Sequence, residues 1–276
     1  MKNVNACFLK RLIKVFVPIL FLLSLWSCQS EGGRDIRAYY FPIQELQDGL
    51  IYEYQAVNMD SLTPKYWYYR SFINDNGVFL TGTYYEHDFT PLQFVREEMV
   101  SNGIIQDTLY LFEYNFSEAA IDSLPEDQRS SFFVYHPDSS SQVARVNVEI
   151  LSGTLFPYQV RDEGGVFLYK VKWRPASQPE TEIILGKTRH YLSDTTFTFQ
   201  NKTYDCVRFK VSELFQQNQE GVLEQEYSGV EWYAKKLGLV YFRKNITEDF
   251  VIEYQLEDRY PMEKLEEKFK VYLEQQ

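Results

Sequence analysis

Cysteine is nearly missing from this 276-residue chain. Of the three present, Cys7 and Cys28 lie at the start, which leaves Cys206 alone in the body. One thiol cannot close an internal disulfide, so the body must hold together through its core. The sequence places no base beside Cys206, which therefore reads as a buried structural thiol and not as a nucleophile. Histidine is as scarce. His87, His136 and His190 occupy three separate segments, and none shows the spacing of a metal site. No nucleophile elbow, His-Glu-x-x-His helix, phosphate-cradling glycine loop or dinucleotide fingerprint occurs. No metal, no cofactor and no catalytic residue is expected, and the chain reads as non-enzymatic. Bases are outnumbered by acids, 28 to 39, for a net charge of −11. Residues 1–27 contain four bases and no acid, so the remainder has 24 bases against 39 acids, a charge of −15. Such a body lacks the Lys and Arg that sequence-independent nucleic-acid binding needs. With 13 glycines and 10 prolines, the chain is neither collagen-like nor low-complexity. No repeat at solenoid or propeller period is visible.

What is abundant is apolar and aromatic: 45% hydrophobic residues and 17% aromatic, with 22 Tyr and 21 Phe. This excludes intrinsic disorder and predicts a sizeable core. The first 27 residues read as an export signal. Lys10, Arg11 and Lys14 precede an apolar run from Val15 to Trp26 that is too short to span a bilayer at 1.5 Å rise per residue. It ends in Leu25-Trp26-Ser27-Cys28, which resembles the bacterial lipobox. The resemblance implies that Cys28 receives a diacylglyceryl thioether and becomes the acylated N-terminus, anchoring the protein to the outer membrane without a transmembrane helix. No later segment approaches 18 continuous apolar residues. Residues 28–38 read as a flexible tether and 39–276 as a single domain.

Within that domain, alternating apolar and polar positions mark strands almost from end to end. The candidates are 49–57, 65–72, 77–85, 92–100, 104–114, 131–136, 142–150, 154–161, 165–173, 182–185, 195–199, 203–211, 222–227, 230–235, 238–244 and 250–255. Asp75-Asn76-Gly77, Asn102-Gly103 and Lys236-Leu237-Gly238 supply hairpin turns. Two stretches differ: 117–124 reads as a short helix stopped by Pro125, and 262–274 as an amphipathic helix behind Pro261. The helix stripe (Met262, Leu265, Phe269, Tyr272, Leu273) is expected to cap a sheet face or barrel mouth. Pro175–Pro179 reads as an interdomain linker or as a wide hairpin tip. The predicted fold class is mainly β, a large curved antiparallel sheet or half-barrel ending in a helix.

Aromatic clusters supply the candidate binding residues. Tyr39-Tyr40-Phe41, Tyr66 to Tyr69 and Tyr84-Tyr85 place rings on both faces of early strands, so one face packs the core while the other is covered by cross-strand ring pairs or offers a stacking platform or apolar lining. Trp67, Tyr69, Tyr204, Trp232 and Tyr233 are the candidate lining residues. The acidic pairs Glu97-Glu98 and Glu266-Glu267 read as solvated surface and not as a general acid–base couple. Asp precedes Ser or Thr at Ser61, Thr108, Ser123, Ser139 and Thr195, where composition gives roughly one or two such pairs. These sites resemble the O-glycosylation pattern of exported Bacteroidota proteins.

The strand around Tyr204, Cys206, Val207 and Phe209, followed by Trp232-Tyr233-Ala234 and Gly238-Leu239-Val240, resembles a pattern of exported bacterial β-rich proteins. Tyr40-Phe41-Pro42 with Gly49, Tyr52 and Tyr54 similarly resembles the first strand of Bacteroidota envelope lipoproteins. The resemblance implies a curved sheet similar to the half-barrel of the LolA/LolB lipoprotein carriers, wrapped around a helix. The functional expectation is an envelope protein binding an apolar or lipid-like ligand. Its alternatives are a structural or accessory subunit partnered with an outer-membrane protein, and a glycan-binding module.

Overall fold

The computed structural model describes residues 33–57, 59, 62–114, 133–135, 142–160 and 167–275. The helix expected over 117–124 lies outside them. Sixteen strands occur among the described residues: β1 (Arg34–Asp35), β2 (Leu50–Ala56), β3 (Lys65–Asn74), β4 (Gly77–Tyr85), β5 (Pro91–Val100), β6 (Gly103–Tyr114), β7 (Phe133–Tyr135), β8 (Gln142–Asn147), β9 (Glu149–Pro157), β10 (Gln159–Val160), β11 (Phe167–Trp173), β12 (Glu182–Phe199), β13 (Lys202–Asn218), β14 (Val222–Ala234), β15 (Gly238–Asn245) and β16 (Val251–Tyr260). One α-helix follows, α1 (Met262–Glu274). No described helix is long and apolar enough to cross a membrane.

The main sheet is antiparallel and curls far enough to close. Its order runs β5-β4-β3-β2-β16-β15-β14-β13-β12-β11-β9-β6, and β6 then pairs with β5, giving a ring of twelve strands. The expected curved sheet is present, and closure removes the open edges that a half-barrel would expose. β6 bridges the seam. One of its edges pairs with β5 from Gly103 to Leu111. The other is shared between β9 near Gly103–Ile105 and β8 near Tyr110–Tyr114. The Pro175–Pro179 stretch lies in the hairpin joining β11 to β12, where Trp173 pairs with Ile183.

Successive side chains point alternately into and out of the ring. Tyr52, Tyr54, Tyr69, Leu80, Val207, Phe209 and Tyr233 belong to the central buried cluster. Ile51 and Tyr66, one residue out of phase, face the other way and pack with Leu265 of α1. The helix therefore covers the outer face of β2 and β3, clamped by Tyr260 Oη donating to Glu53 (2.7 Å) and by Lys268 on the same carboxylate. Among the described residues no α-helix lies inside the ring, and α1, where the sequence suggested a helix wrapped by the sheet, packs outside on β2 and β3.

One end of the ring is stoppered by the chain's own N-terminal segment. Residues 34–38 are not the free tether that their composition suggested. Arg34–Asp35 pairs with β10, the Ile36 N–H donates to Tyr158 O (2.8 Å), and the Ile36 side chain is fully buried. Tyr39-Tyr40-Phe41, expected on a strand, instead ends and follows the 3-10 turn Arg37–Tyr39, and all three rings enter the core. The Phe41 ring lies 4.2 Å from that of Tyr69 and the Tyr40 ring 4.9 Å from that of Phe156. Burying three aromatic rings and Ile36 supplies several kcal/mol, roughly 1.5–3 per side chain, enough to order a short segment.

Candidate functional site

Above this plug, the strand interiors do not meet. A cavity of about 470 Å³ remains, within the range of about 300–1,000 Å³ typical of ligand pockets. Its base is Tyr40 and Phe41 of the plug. Its walls follow strand register. Glu97 pairs across the sheet with Leu80, Val95 with Gly82 and Gln93 with Tyr84, so successive inward residues of β5 mark successive levels. The lower level is polar, with Glu97, Gln106, Tyr169 and Arg189. The levels further along β6, β11 and β12 are apolar: Leu109, Leu111, Val171, Trp173 and Leu185. The cavity thus has a polar floor and mostly hydrophobic walls, with Gln93 the polar exception at the level of Leu111.

The polar floor continues as a ladder of ion pairs across β12, β13, β14 and β15. Arg189 Nε donates to Glu231 Oε2 at 2.7 Å and Tyr233 Oη to the same oxygen at 3.0 Å. Lys187 Nζ lies 3.3 Å from Glu231 Oε1 and 2.7 Å from Glu213 Oε1, and Lys244 closes on the other oxygen of Glu213. Side-chain exposure rises along the ladder from 8% at Arg189 to 21% at Lys187 and 32% at Lys244. A smaller cavity of about 200 Å³ lies beside the ladder and shares Trp67, Lys187, Glu231 and Leu239 with the larger one.

The charges fall into two regimes. Burial alone would raise Glu231 and Glu213, yet the facing cations outweigh it and hold both carboxyls down at about 2. Glu97 has no such partner. Burial pushes it up to about 7, against the opposing pull of the Tyr40 hydroxyl that donates to it and of Arg189. Below that pH Glu97 is neutral, and the ladder sets the cations Arg189, Lys187 and Lys244 against the carboxylates of Glu231 and Glu213. One donor stays unused: Arg189 Nη1 is buried with no hydrogen-bond partner, although Nε and Nη2 both bind Glu231. A buried guanidinium N–H without an acceptor is costly.

The sequence-derived candidates distribute unevenly over this geometry. Trp67, Tyr69 and Tyr233 line the larger cavity. Trp232 and Tyr204 line neither cavity, which corrects their assignment. Trp232 is one residue out of phase with inward Glu231 and Tyr233, so it points outward and packs on Tyr241 at 4.5 Å. Tyr204 sits near the end of β13 beneath Lys202. Glu97 is no solvated surface acid: it faces inward at 6% exposure, and this too is a correction. Glu266 and Glu267 are exposed, and Cys206 is fully buried, where burial pushes its thiol up to about 12. Thr108 and Thr195 lie within β6 and β12, half-buried and opposite Arg96 and Cys206. Cys28, Ser61, Ser123 and Ser139 lie outside the described residues. Lys187, Arg189, Glu213 and Glu231 escaped the sequence reading. Their signal was phase, since each is two residues from an apolar or aromatic inward neighbour, such as Glu231 from Tyr233. Among the described residues no cluster of three His, Cys, Asp or Glu is placed to hold a metal ion.

No protein-family model matches the sequence, and neither does any curated protein. Three solved structures are similar at low identity. A candidate lipoprotein from Parabacteroides distasonis has a TM-score of 0.48 and 13% identity, covering 82% of this chain and 100% of its own. A candidate exported protein with a YmcC-like fold from Bacteroides fragilis has a TM-score of 0.44 and 14% identity, covering 80% and 98%. The hypothetical lipoprotein YmcC from Escherichia coli has a TM-score of 0.32 and 10% identity, covering 83% and 90%. Likeness below a TM-score of 0.5 assigns neither family nor activity.

Proposed function

We propose that this protein is a lipid-anchored, non-catalytic component of the bacterial outer membrane that holds an apolar or lipid-like molecule inside its β-barrel. The observation that carries the reading is the cavity of about 470 Å³ enclosed by the twelve-strand ring, with its walls of Leu, Val and Trp side chains. Each methylene that leaves water for such walls contributes about 0.8 kcal/mol, so an acyl chain of modest length suffices for micromolar affinity after association costs. Support for the anchor comes from the lipobox-like Leu25-Trp26-Ser27-Cys28 behind its basic leader.

A neutral apolar dye, N-phenyl-1-naphthylamine, tests the binding claim. One saturable site is expected in the wild type. Val171→Trp, which extends an inward side chain into the cavity, should abolish that site while leaving the thermal midpoint within a few degrees. Dye binding that survives this filling would place the site elsewhere. The anchor is tested by metabolic labelling with radioactive palmitate in a bacterial host. Label is expected on the wild type and lost in Cys28→Ala, whereas label retained by the variant would contradict Cys28 as the acceptor.

The glycan-binding alternative finds less support. The ring of Trp67 is stacked by Tyr84 at 4.7 Å and by Phe242 at 5.3 Å, so its faces are taken by the protein's own aromatics.

A further inference from the structure

We infer that the ligand is an amphiphile with a monoanionic head group, seated head-down on Arg189 with its apolar chain directed along Leu111, Val171 and Trp173. This rests on the reading that the barrel interior holds an apolar ligand, and it adds the chemistry of the head. Four observations converge on it. The cavity is chemically polarised, with every charged group at the plug end and, beyond it, hydrophobic side chains joined only by the Gln93 amide. Arg189 lines the cavity at 6% exposure and keeps Nη1 without a partner, although the rest of its fork is used. A bound anion would satisfy that donor, and a neutral alcohol or hydrocarbon would not. Glu97, across the floor and pushed by burial to about 7, can offer a carboxyl O–H and adds no repulsion while protonated.

The charge limit follows from the neighbours. Glu231 binds Arg189 on its other edge, and Glu213 binds both Lys187 and Lys244, so the ladder leaves about one positive charge uncompensated. A carboxylate or a phosphodiester fits that excess. A phosphomonoester dianion would bring a second charge toward Glu231 at low dielectric, where like charges repel strongly. Above the floor the walls are apolar except for the Gln93 amide at the level of Leu111, so they accept a hydrocarbon chain along Val171 and Trp173.

The experiment uses the mature chain beginning at Cys28 and three ligands of one chain length: laurate, lauroyl-lysophosphatidylglycerol and neutral 1-dodecanol. Affinities are measured by displacement of N-phenyl-1-naphthylamine at pH 6. A hydrogen bond to a charged group contributes about 1.5–3 kcal/mol, so at least one anionic ligand should bind roughly 10- to 100-fold more tightly than dodecanol. Preference for laurate would identify a carboxylate head, and preference for the lysolipid a phosphodiester. In the double variant Arg189→Met/Glu231→Gln, which removes the ion pair as a unit, the anionic preference over dodecanol should fall to within about 2-fold.

Equal binding of all three ligands to the wild type would overturn the head-group inference and leave the apolar reading intact. Failure of all three to bind would overturn both. A preference that persists in the double variant would overturn the assignment to Arg189. A wild-type measurement stands beside the variant in case the variant fails to fold. The carboxyl resonance of bound 1-13C-laurate should remain that of an ion well below the pH at which free laurate protonates. Protonation at the ordinary carboxyl pH would contradict contact with the guanidinium.

Discussion

At the scale of single residues, Glu97 and the ladder carboxylates give the protein two separate pH windows. Glu97 is held neutral by burial, with its folded value raised to about 7 against an ordinary 4.5. The unfolded chain ionises first as pH rises, so the contribution of Glu97 to stability is full below about 4.5 and is lost progressively up to about 7. At about 1.4 kcal/mol per pH unit the loss amounts to about 3 kcal/mol. Glu213 and Glu231, held at about 2, behave oppositely: their contribution is present above about 4.5 and is lost as pH falls toward 2. Glu97→Gln keeps an oxygen for the Tyr40 hydroxyl and removes the ionisation. Urea midpoints should therefore fall between pH 5 and pH 8 in the wild type and stay flat in the variant, and an equal decline in both would contradict a buried Glu97. Local pattern hides this, because Glu97-Glu98 on a strand looks the same whichever member faces inward. Only the phase set by Val95 decides it.

At the scale of elements, the sequence reading located most strands but broke the longest ones. The run 182–185 and 195–199 is one continuous strand, β12, and 203–211 continues to Asn218 as β13. The polar stretch Gly186-Lys187-Thr188-Arg189-His190 read as an interruption because an inward strand face is expected to be apolar. Here it carries the ion ladder, so the pattern failed where the candidate site lies. Ser228-Gly229 reads as a gap for a related reason. A Cβ at Gly229 would come within 2.1 Å of Arg243 O, so the strand continues only because the residue is glycine. The hairpin at Gly238 is bound to the plug more directly. Gly238 has φ of +90°, and a Cβ there would lie 2.5 Å from Phe41 Cδ1. Gly238→Ala should cost about 2 kcal/mol or more through strain and displacement of Phe41. Gly221→Ala, with no atom within 4 Å of its added methyl, should change stability by less than about 0.5 kcal/mol. Similar urea midpoints for the two variants would contradict a plug seated against this turn.

At the scale of the molecule, the mainly antiparallel architecture and the terminal helix were legible, since period-2 segments and hairpin turns are local features. Closure was not. It depends on β16 returning to β2, with Leu256 opposite Tyr54, and on β6 turning from β5 to meet β9, pairings between residues far apart in sequence. Nor could local pattern place α1 outside, because its apolar stripe would suit a barrel mouth equally well. The plug was hidden behind a composition that reads as linker up to Ala38. The plug at one end, the charged floor and the mostly apolar walls above it delimit the space that the proposed ligand fills. Native mass spectrometry of the mature chain, purified from a bacterial envelope without added lipid, tests this most directly. A reproducible extra mass of several hundred daltons, removed by organic solvent and absent from Val171→Trp, is the predicted result. A folded wild-type protein that consistently shows the mass of the acylated polypeptide alone would contradict it.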